Sequence, residues 1–400
     1  MPIQTYNNKV FYGLCVTVLL LRIEWGISTS MLPLYIHELG GSPLEVGLVF
    51  SVFAGISIFS NIFWGALSDH FGKRKVFIVL GMAAIFPIFL LMAFQQEKLY
   101  LILLRGSTAL FKGAVVPTAW ALVADLSPPE KVGTNLGILS SIETAGFALG
   151  PIMGGLVADV FGFPSLWLFV ASICLVGATV FFVIGSDPPN IQNRSRQRFV
   201  EAFKLSQFSV IGVLCVASAI SLLGYSLLGP NLNVYLFDDI GFSRTTIGVL
   251  SFIGMGVTTL LQPLIGSYSD KYGRKTFLIL GAINLIFGNI MLFFSRNLLL
   301  VLVARILMSN FGFFRSVGSA YITDVVPQTE KSIALGFFNS VDSISRSIGA
   351  MVGGYVISMM SMPTLIMISP AFPAIGIAIV FFLLKESKNP KRKLKHNYQM

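Results

Sequence analysis

Twelve runs of mostly apolar residues, each long enough to cross a membrane, take up nearly all of the chain between residues 10 and 385. They lie at 10–36, 44–68, 76–94, 98–124, 132–158, 165–185, 208–236, 245–269, 276–294, 298–324, 331–358 and 364–385. About 20 apolar residues in helical form cross the roughly 30 Å of bilayer hydrocarbon. A run of this length must pair its own backbone N–H and C=O groups, because lipid offers no partner. Composition agrees: 12% of the 400 residues are charged, against about 25% in a soluble domain. The expected fold is an all-α membrane protein with twelve transmembrane helices in a lipid bilayer. The first run is too long for a signal-peptide core and leads directly to Pro33, so no cleavage is expected. Cys15, Cys174 and Cys215 each stand alone in an apolar run, without metal-site or disulfide spacing.

The net charge of +10 could point to nucleic acid, but its distribution points elsewhere. With the N-terminus placed inside, 19 of the 28 Lys and Arg residues fall in inner segments, whereas the outer loops hold only Lys98, Arg244 and Arg296. Such a bias orients membrane proteins. It predicts a multi-pass protein of the cell membrane with both termini cytoplasmic and no nucleic-acid partner.

A charged turn recurs at half the chain length. Gly65-Ala-Leu-Ser-Asp69-His-Phe-Gly72-Lys73-Arg74 returns 201 positions later as Gly266-Ser-Tyr-Ser-Asp270-Lys-Tyr-Gly273-Arg274-Lys275. The series continues in order: Arg105 with Arg305, Asp125 with Asp324, Glu143 with Asp342, Gly150 with Gly349, and Gly154-Gly155 with Gly353-Gly354. Internal repeats of this kind mark transporters. Two pseudo-symmetric six-helix bundles are expected at 1–185 and 208–385, joined by a polar linker at 186–207 and followed by a basic tail at 386–400.

These motifs make the chain resemble the major facilitator superfamily along nearly its whole length. The carriers are Gly65-x-x-x-Asp69-x-x-Gly72-Lys73-Arg74, its copy from Gly266 to Lys275, and Gly146-Phe-Ala-Leu-Gly150-Pro151-Ile-Met-Gly154-Gly155 in the fifth helix. The fourth helix has the family's arginine at Arg105, with Ala109 and Lys112 where the usual pattern offers Gly and Gln nearby. The resemblance implies alternating access to a small-molecule substrate. The fifth-helix pattern is associated in this family with proton-driven antiporters of drugs and metabolites. No cofactor is expected, a proton gradient is the expected driving force, and a monomer is expected.

Asp69 and Asp270 end the second and eighth spans, where they can accept N–H bonds from a helix start and pair with Lys73, Arg74, Arg274 or Lys275. The resemblance implies a latch that holds one state and releases on opening; a plain topological anchor is the other reading. Gly146, Gly150 and Gly154 recur every four residues and form a smooth stripe for close helix approach. In the family's fold the fifth and eighth helices meet, so the stripe reads as a sliding seam with Pro151 and Gly155, or as static packing.

Nine charged residues lie within spans: Arg22, Glu24, Arg105, Lys112, Glu143, Arg305, Arg315, Asp342 and Arg346. Each costs about 2.5–3.5 kcal/mol against lipid, so they must face one another or water. Arg105 and Lys112, two turns apart, point the same way, whereas Arg22 and Glu24 cannot share a face. Asp342 and Arg346 are placed to pair within one helix. Glu24 is the first proton-coupling candidate, because such a carrier needs a carboxylate that changes protonation between states; Arg105 would be its counter-charge, and a permanent ion pair is the alternative. Glu143 is the second. Arg22, Arg105, Lys112, Arg315, Asp342 and Arg346 are candidate cavity charges, and Trp25, Tyr35, Tyr225 and Asn231 candidate aromatic or polar lining.

Proton-coupled efflux is thus the leading expectation, uptake or exchange of an organic anion the second, and a non-transporting sensor the third. An enzyme is not expected, since the three histidines are not set beside a nucleophile and an acid. No phosphate-binding Gly-x-x-x-x-Gly-Lys loop is present.

Overall fold

The computed structural model describes residues 8–128, 130–187, 208–327 and 330–386. Residues 188–207 of the expected linker, and the tail after Glu386, lie outside the described residues. Within them the regular elements are thirteen α-helices: α1 Asn8–Glu38, α2 Pro43–Phe71, α3 Arg74–Phe94, α4 Lys98–Leu126, α5 Val132–Ile184, α6 Phe208–Asp238, α7 Arg244–Tyr272, α8 Arg274–Phe294, α9 Leu298–Ser309, α10 Gly312–Val325, α11 Lys331–Met359, α12 Met362–Ile368 and α13 Ala371–Leu383. Ten helical segments among the described residues are long and apolar enough to cross a membrane.

Thirteen helices make twelve passes because the breaks do not coincide with the loops. The 53 residues of α5 would extend about 80 Å at 1.5 Å per residue, more than twice the hydrocarbon thickness. Gly162, at φ 77° and ψ 173°, divides it into two limbs, and Pro164 follows. In the other direction, α9 and α10 form one pass interrupted at Asn310 and Phe311, and α12 and α13 form one interrupted at Ser369 and Pro370. α11 is as long as a span but less apolar, with Asp342 and Arg346 near its middle.

The chain divides into two compact units, Met1–Ser195 with Asn233–Phe252 and Arg196–Leu232 with Ile253–Met400. The division inside α6 falls beside Gly229, its non-helical residue (φ 4°, ψ −103°), which precedes Pro230. In the first unit α1 lies along the first limb of α5, α2 along α4, and α3 between α4 and α5. Trp167 anchors this packing, stacked with Phe89 and Phe163. In the second unit α8 is the hub for α9, α10 and α13.

The same close approach of helices occurs in both units. A Cβ on Gly150 would sit 2.5 Å from the Ile23 carbonyl oxygen and 2.7 Å from Gly26 Cα, and one on Gly349 would sit 2.6 Å from Ser226 Cβ. Helices that touch at glycine gain dispersion contacts, the main source of helix association where hydrophobic burial supplies none. Outward-facing Phe59, Phe94, Phe182, Phe294 and Phe382 are highly exposed. A surface of such side chains suits hydrocarbon.

The repeated turn is built from its glycines. Gly72 at φ 61° ends α2 in the left-handed region and lets α3 start two residues later. Gly273 at φ 105° does the same between α7 and α8, and a Cβ there would also lie 2.6 Å from a Glu386 carboxylate oxygen. Residues with a side chain are disfavoured at such angles.

Candidate functional site

Three charged side chains meet inside the first unit. Glu24 of α1 is wholly buried, and Arg105 and Lys112 of α4 are 1% and 5% exposed. Lys112 Nζ lies 2.6 Å from Glu24 Oε2, and Arg105 Nη1 lies 3.4 Å from Glu24 Oε1. Ser28, one turn along α1, donates its hydroxyl to Oε1 at 2.9 Å. The Arg105 guanidinium stands 4.1 Å over the Phe53 ring of α2. The seven-residue spacing in α4 therefore puts both cations on one carboxylate.

A second pair lies one step around α1. Arg22 Nη2 donates to Glu143 Oε1 at 2.5 Å, and Trp120 Nε1 donates to the same oxygen at 3.2 Å. Arg22 and Glu24 thus serve different partners, as their angular separation requires. The Trp25 indole takes both groups of charges, with Arg22 Cζ at 4.7 Å and Lys112 Nζ at 5.4 Å from its centroid. It packs against Phe53 and Phe147.

The charged turns form one cluster in each unit. Arg74 is buried and pairs with Asp69 at 2.6 Å and Asp125 at 3.3 Å, while donating to Ser68 Oγ at 2.8 Å. Arg274 pairs with Asp270, pairs with Asp324 at 3.0 Å and donates to Ser269 Oγ at 2.6 Å. Lys73 is exposed, and Lys275 donates Nζ to the Phe381 carbonyl at 2.7 Å. Gly266 has open room where a side chain would go, and a Cβ on Gly65 would make ordinary contact with Pro117 at 3.9 Å.

Two carboxylates in these clusters went unread in the sequence. Asp187 accepts the Lys75 N–H at 2.7 Å, and Glu386 accepts the Arg274 N–H at 2.7 Å. Each caps a helix start whose N–H groups attract an anion. Asp187 and Glu386 are related by the same 199-residue offset as Gly150 and Gly349, so the repeat itself carried the signal.

The structure corrects three expectations. The stripe Gly146, Gly150 and Gly154 faces α1, where added Cβ atoms would strike Leu19, Ile23, Ile27 and Met31. Pro151 and Gly155, on the adjoining face, are the residues that meet the start of α7: Gly248 packs on the Pro151 carbonyl and Gly155 on the Arg244 carbonyl. Tyr35 is no lining residue; it is buried, donates to the Gln95 carbonyl at 2.7 Å and packs on Phe163 and Trp167. Asp342 accepts the Ser218 hydroxyl at 2.7 Å and pairs with Arg315 at 3.8 Å, while Arg346 is exposed and acts on it only as a nearby charge. Arg315 is itself half-exposed and donates to Asn339 at 3.0 Å.

In the second unit, Tyr225 and Arg305 line a cavity of about 30 Å³ with Gly229, Leu232, Met308 and Ser309, where α6 and α9 are both interrupted. Asn231 is buried next to the same break. At one end of the first unit Arg244 pairs with Glu38 at 2.5 Å and with Asp159 at 3.5 Å. Thr245 donates its N–H to Asp159 at 2.8 Å, and His37 pairs with Asp238. Of these five charged residues only Arg244 is marked in the sequence, as an outer-loop cation and not as a partner of Glu38 or Asp159.

The description Major Facilitator Superfamily matches residues 14–213 and again 214–397. An uncharacterized MFS-type transporter of Methanocaldococcus jannaschii is 25% identical over 94% of this chain and 98% of its own. The quinolone resistance protein NorA of Staphylococcus aureus is 22% identical over 96% and 99%. A solved structure of a mutant of the nucleoside transporter NupG superposes with a TM-score of 0.83 at 16% identity, covering 94% of this chain and all of that one. With both halves matching the same family and the helical fold shared end to end, the chain belongs to the major facilitator superfamily and is a membrane transporter rather than an enzyme.

Proposed function

We propose that this transporter exports a small organic solute in exchange for protons, with both termini in the cytoplasm, as a monomer. The observation that carries the reading is the Glu24–Arg105–Lys112 cluster, three ionisable groups buried together at the contact of α1 and α4. Buried, coupled charges of this kind are expensive and concentrate at functional sites, above all inside membranes. The name of the quinolone resistance relative supports an aromatic solute, and that of a multi-drug resistance efflux pump of Streptococcus pneumoniae, 30% identical over 65% of this chain, supports export. Glu143, held by Arg22 and Trp120, is the second carboxylate in this reading.

Glu24→Gln in proteoliposomes tests it. An imposed pH gradient should accelerate flux of a fluorescent quinolone or of ethidium through the unmodified protein. The variant should lose about tenfold or more of that acceleration and keep gradient-free counterflow; Glu143→Gln, run beside it, weighs the second carboxylate. Unchanged gradient-driven efflux in Glu24→Gln would remove the cluster from the coupling step. Exchange of an organic anion is the second reading, favoured by the two cations set against one carboxylate. It gains the field if anion counterflow proceeds with no movement of protons.

A further inference from the structure

We propose that Lys112, rather than Glu24, is the group that releases and regains the exchanged proton. The inference rests on the proton-coupled reading above and names the atom within that site, Lys112 Nζ. Glu24 is then the fixed counter-charge of Arg105.

Charge counting gives the first argument. Two cations face one carboxylate, and all three are buried. Fully ionised, the cluster carries one excess positive charge on groups that are almost wholly buried. A proton added to Glu24 would raise the excess to two. A proton removed from Lys112 leaves a neutral Arg105–Glu24 pair, which is the cheaper buried arrangement. Arg105 is no candidate, because a guanidinium keeps its proton in proteins.

Hydrogen bonding gives the second. The Glu24 carboxylate is surrounded by donors: Ser28 Oγ at 2.9 Å and Arg105 Nη1 at 3.4 Å on one oxygen, and Lys112 Nζ at 2.6 Å on the other. The anion is well held. An ammonium has three N–H groups to place, and Lys112 has one oxygen in reach, close in distance but not aligned as a hydrogen bond. The remainder of its surroundings is poor at holding charge. From α2 comes the Phe53 ring, 5.2 Å away and already covered by Arg105; from α1, the Trp25 ring at 5.4 Å; from the second limb of α5, the Cys174 thiol; and from its own helix, the like charge of Arg105. Arg22, beyond Trp25, is committed to Glu143.

The step balances simply. The Nζ–H bond breaks with its electron pair staying on nitrogen, the proton leaves to water, and Lys112 becomes a neutral amine. Reversal recharges it.

The test uses the full chain in proteoliposomes with ethidium and a fluorescent quinolone as probes. Lys112→Met is neutral and Lys112→Arg stays cationic, yet neither can exchange a proton at this position. Both should lose about tenfold or more of the gradient-driven acceleration. Lys112→His, which can exchange a proton, should restore the acceleration with its pH profile moved to the acid side. If Lys112→Met fails to assemble, Lys112→Arg and Lys112→His decide the question. Retained gradient-driven acceleration in Lys112→Arg would overturn the assignment and return the proton to Glu24. If the unmodified protein shows no gradient acceleration with either probe, proton coupling itself falls.

Discussion

At the scale of single residues, the first unit is organised around carboxylates that each collect more than one donor. Glu24 takes Ser28, Arg105 and Lys112, and Glu143 takes Arg22 and Trp120. Removing one partner of such a buried group strands the others, at a cost of about 3–5 kcal/mol. Arg105→Ala should therefore lower the thermal midpoint in detergent far more than Ser28→Ala, which removes one hydroxyl bond worth about 1 kcal/mol. A double-mutant cycle of Arg105→Ala with Glu24→Gln should show a coupling of about 0.5–3 kcal/mol, because the two buried side chains are in direct contact. Strict additivity would mean the two side chains do not hold each other. The seven-residue spacing of Arg105 and Lys112 was enough to place both on one face. It did not reveal Ser28, whose part depends on the rotamer of Glu24.

At the scale of helices, the glycine stripe makes a prediction with a built-in control. A methyl on Gly150 would collide with α1 backbone at Ile23 and Ile27, backbone that cannot yield as a flexible side chain could. Gly137 lies on the same helix with nothing within 4 Å of its added Cβ. Gly137→Ala should be neutral or stabilising by about 0.5–1 kcal/mol, the usual gain of alanine within a helix. Gly150→Ala should lower the midpoint by several degrees or prevent assembly. Equal midpoints for the two variants would show that the α1–α5 contact is slack. The period of four identified the face of α5 correctly but not the helix that covers it, because periodicity is a property of one helix and partner choice a property of topology. The same limit explains Tyr35, whose hydroxyl is satisfied by a carbonyl 60 residues away. The kink at Gly162 was also hidden: a Gly-Phe-Pro sequence between two apolar runs reads as a loop, yet the helix resumes on both sides of one left-handed residue.

At the scale of the whole molecule, the Arg244 clasp joins α1, α5 and the start of α7 at one end of the first unit. A clasp that can open during a transport cycle has to be weak. Its exposure is consistent with that: Glu38 is half-exposed and Arg244 and Asp159 partly so, and ion pairs of this kind contribute about 0–1 kcal/mol each. Two pairs together with the Thr245 bonds to Asp159 should then hold the start of α7 against α1 and α5 by about 1–2 kcal/mol, or roughly tenfold in population. Ser30 offers a reporter, since it is buried on α1 and its hydroxyl bonds only to its own helix. In a Ser30→Cys background, Arg244→Ala should speed labelling by an impermeant thiol reagent roughly tenfold, and about 1 M salt should reproduce part of that gain without the mutation. Cys15, Cys174 and Cys215 are buried, so background should be low. The same reagent tests sidedness: added to intact cells it should reach Ser30→Cys but leave Lys73→Cys unlabelled until the membrane is permeabilised. Labelling of Lys73→Cys from outside would reverse the assigned orientation, and a Ser30→Cys rate indifferent to Arg244 would show that other contacts close this end.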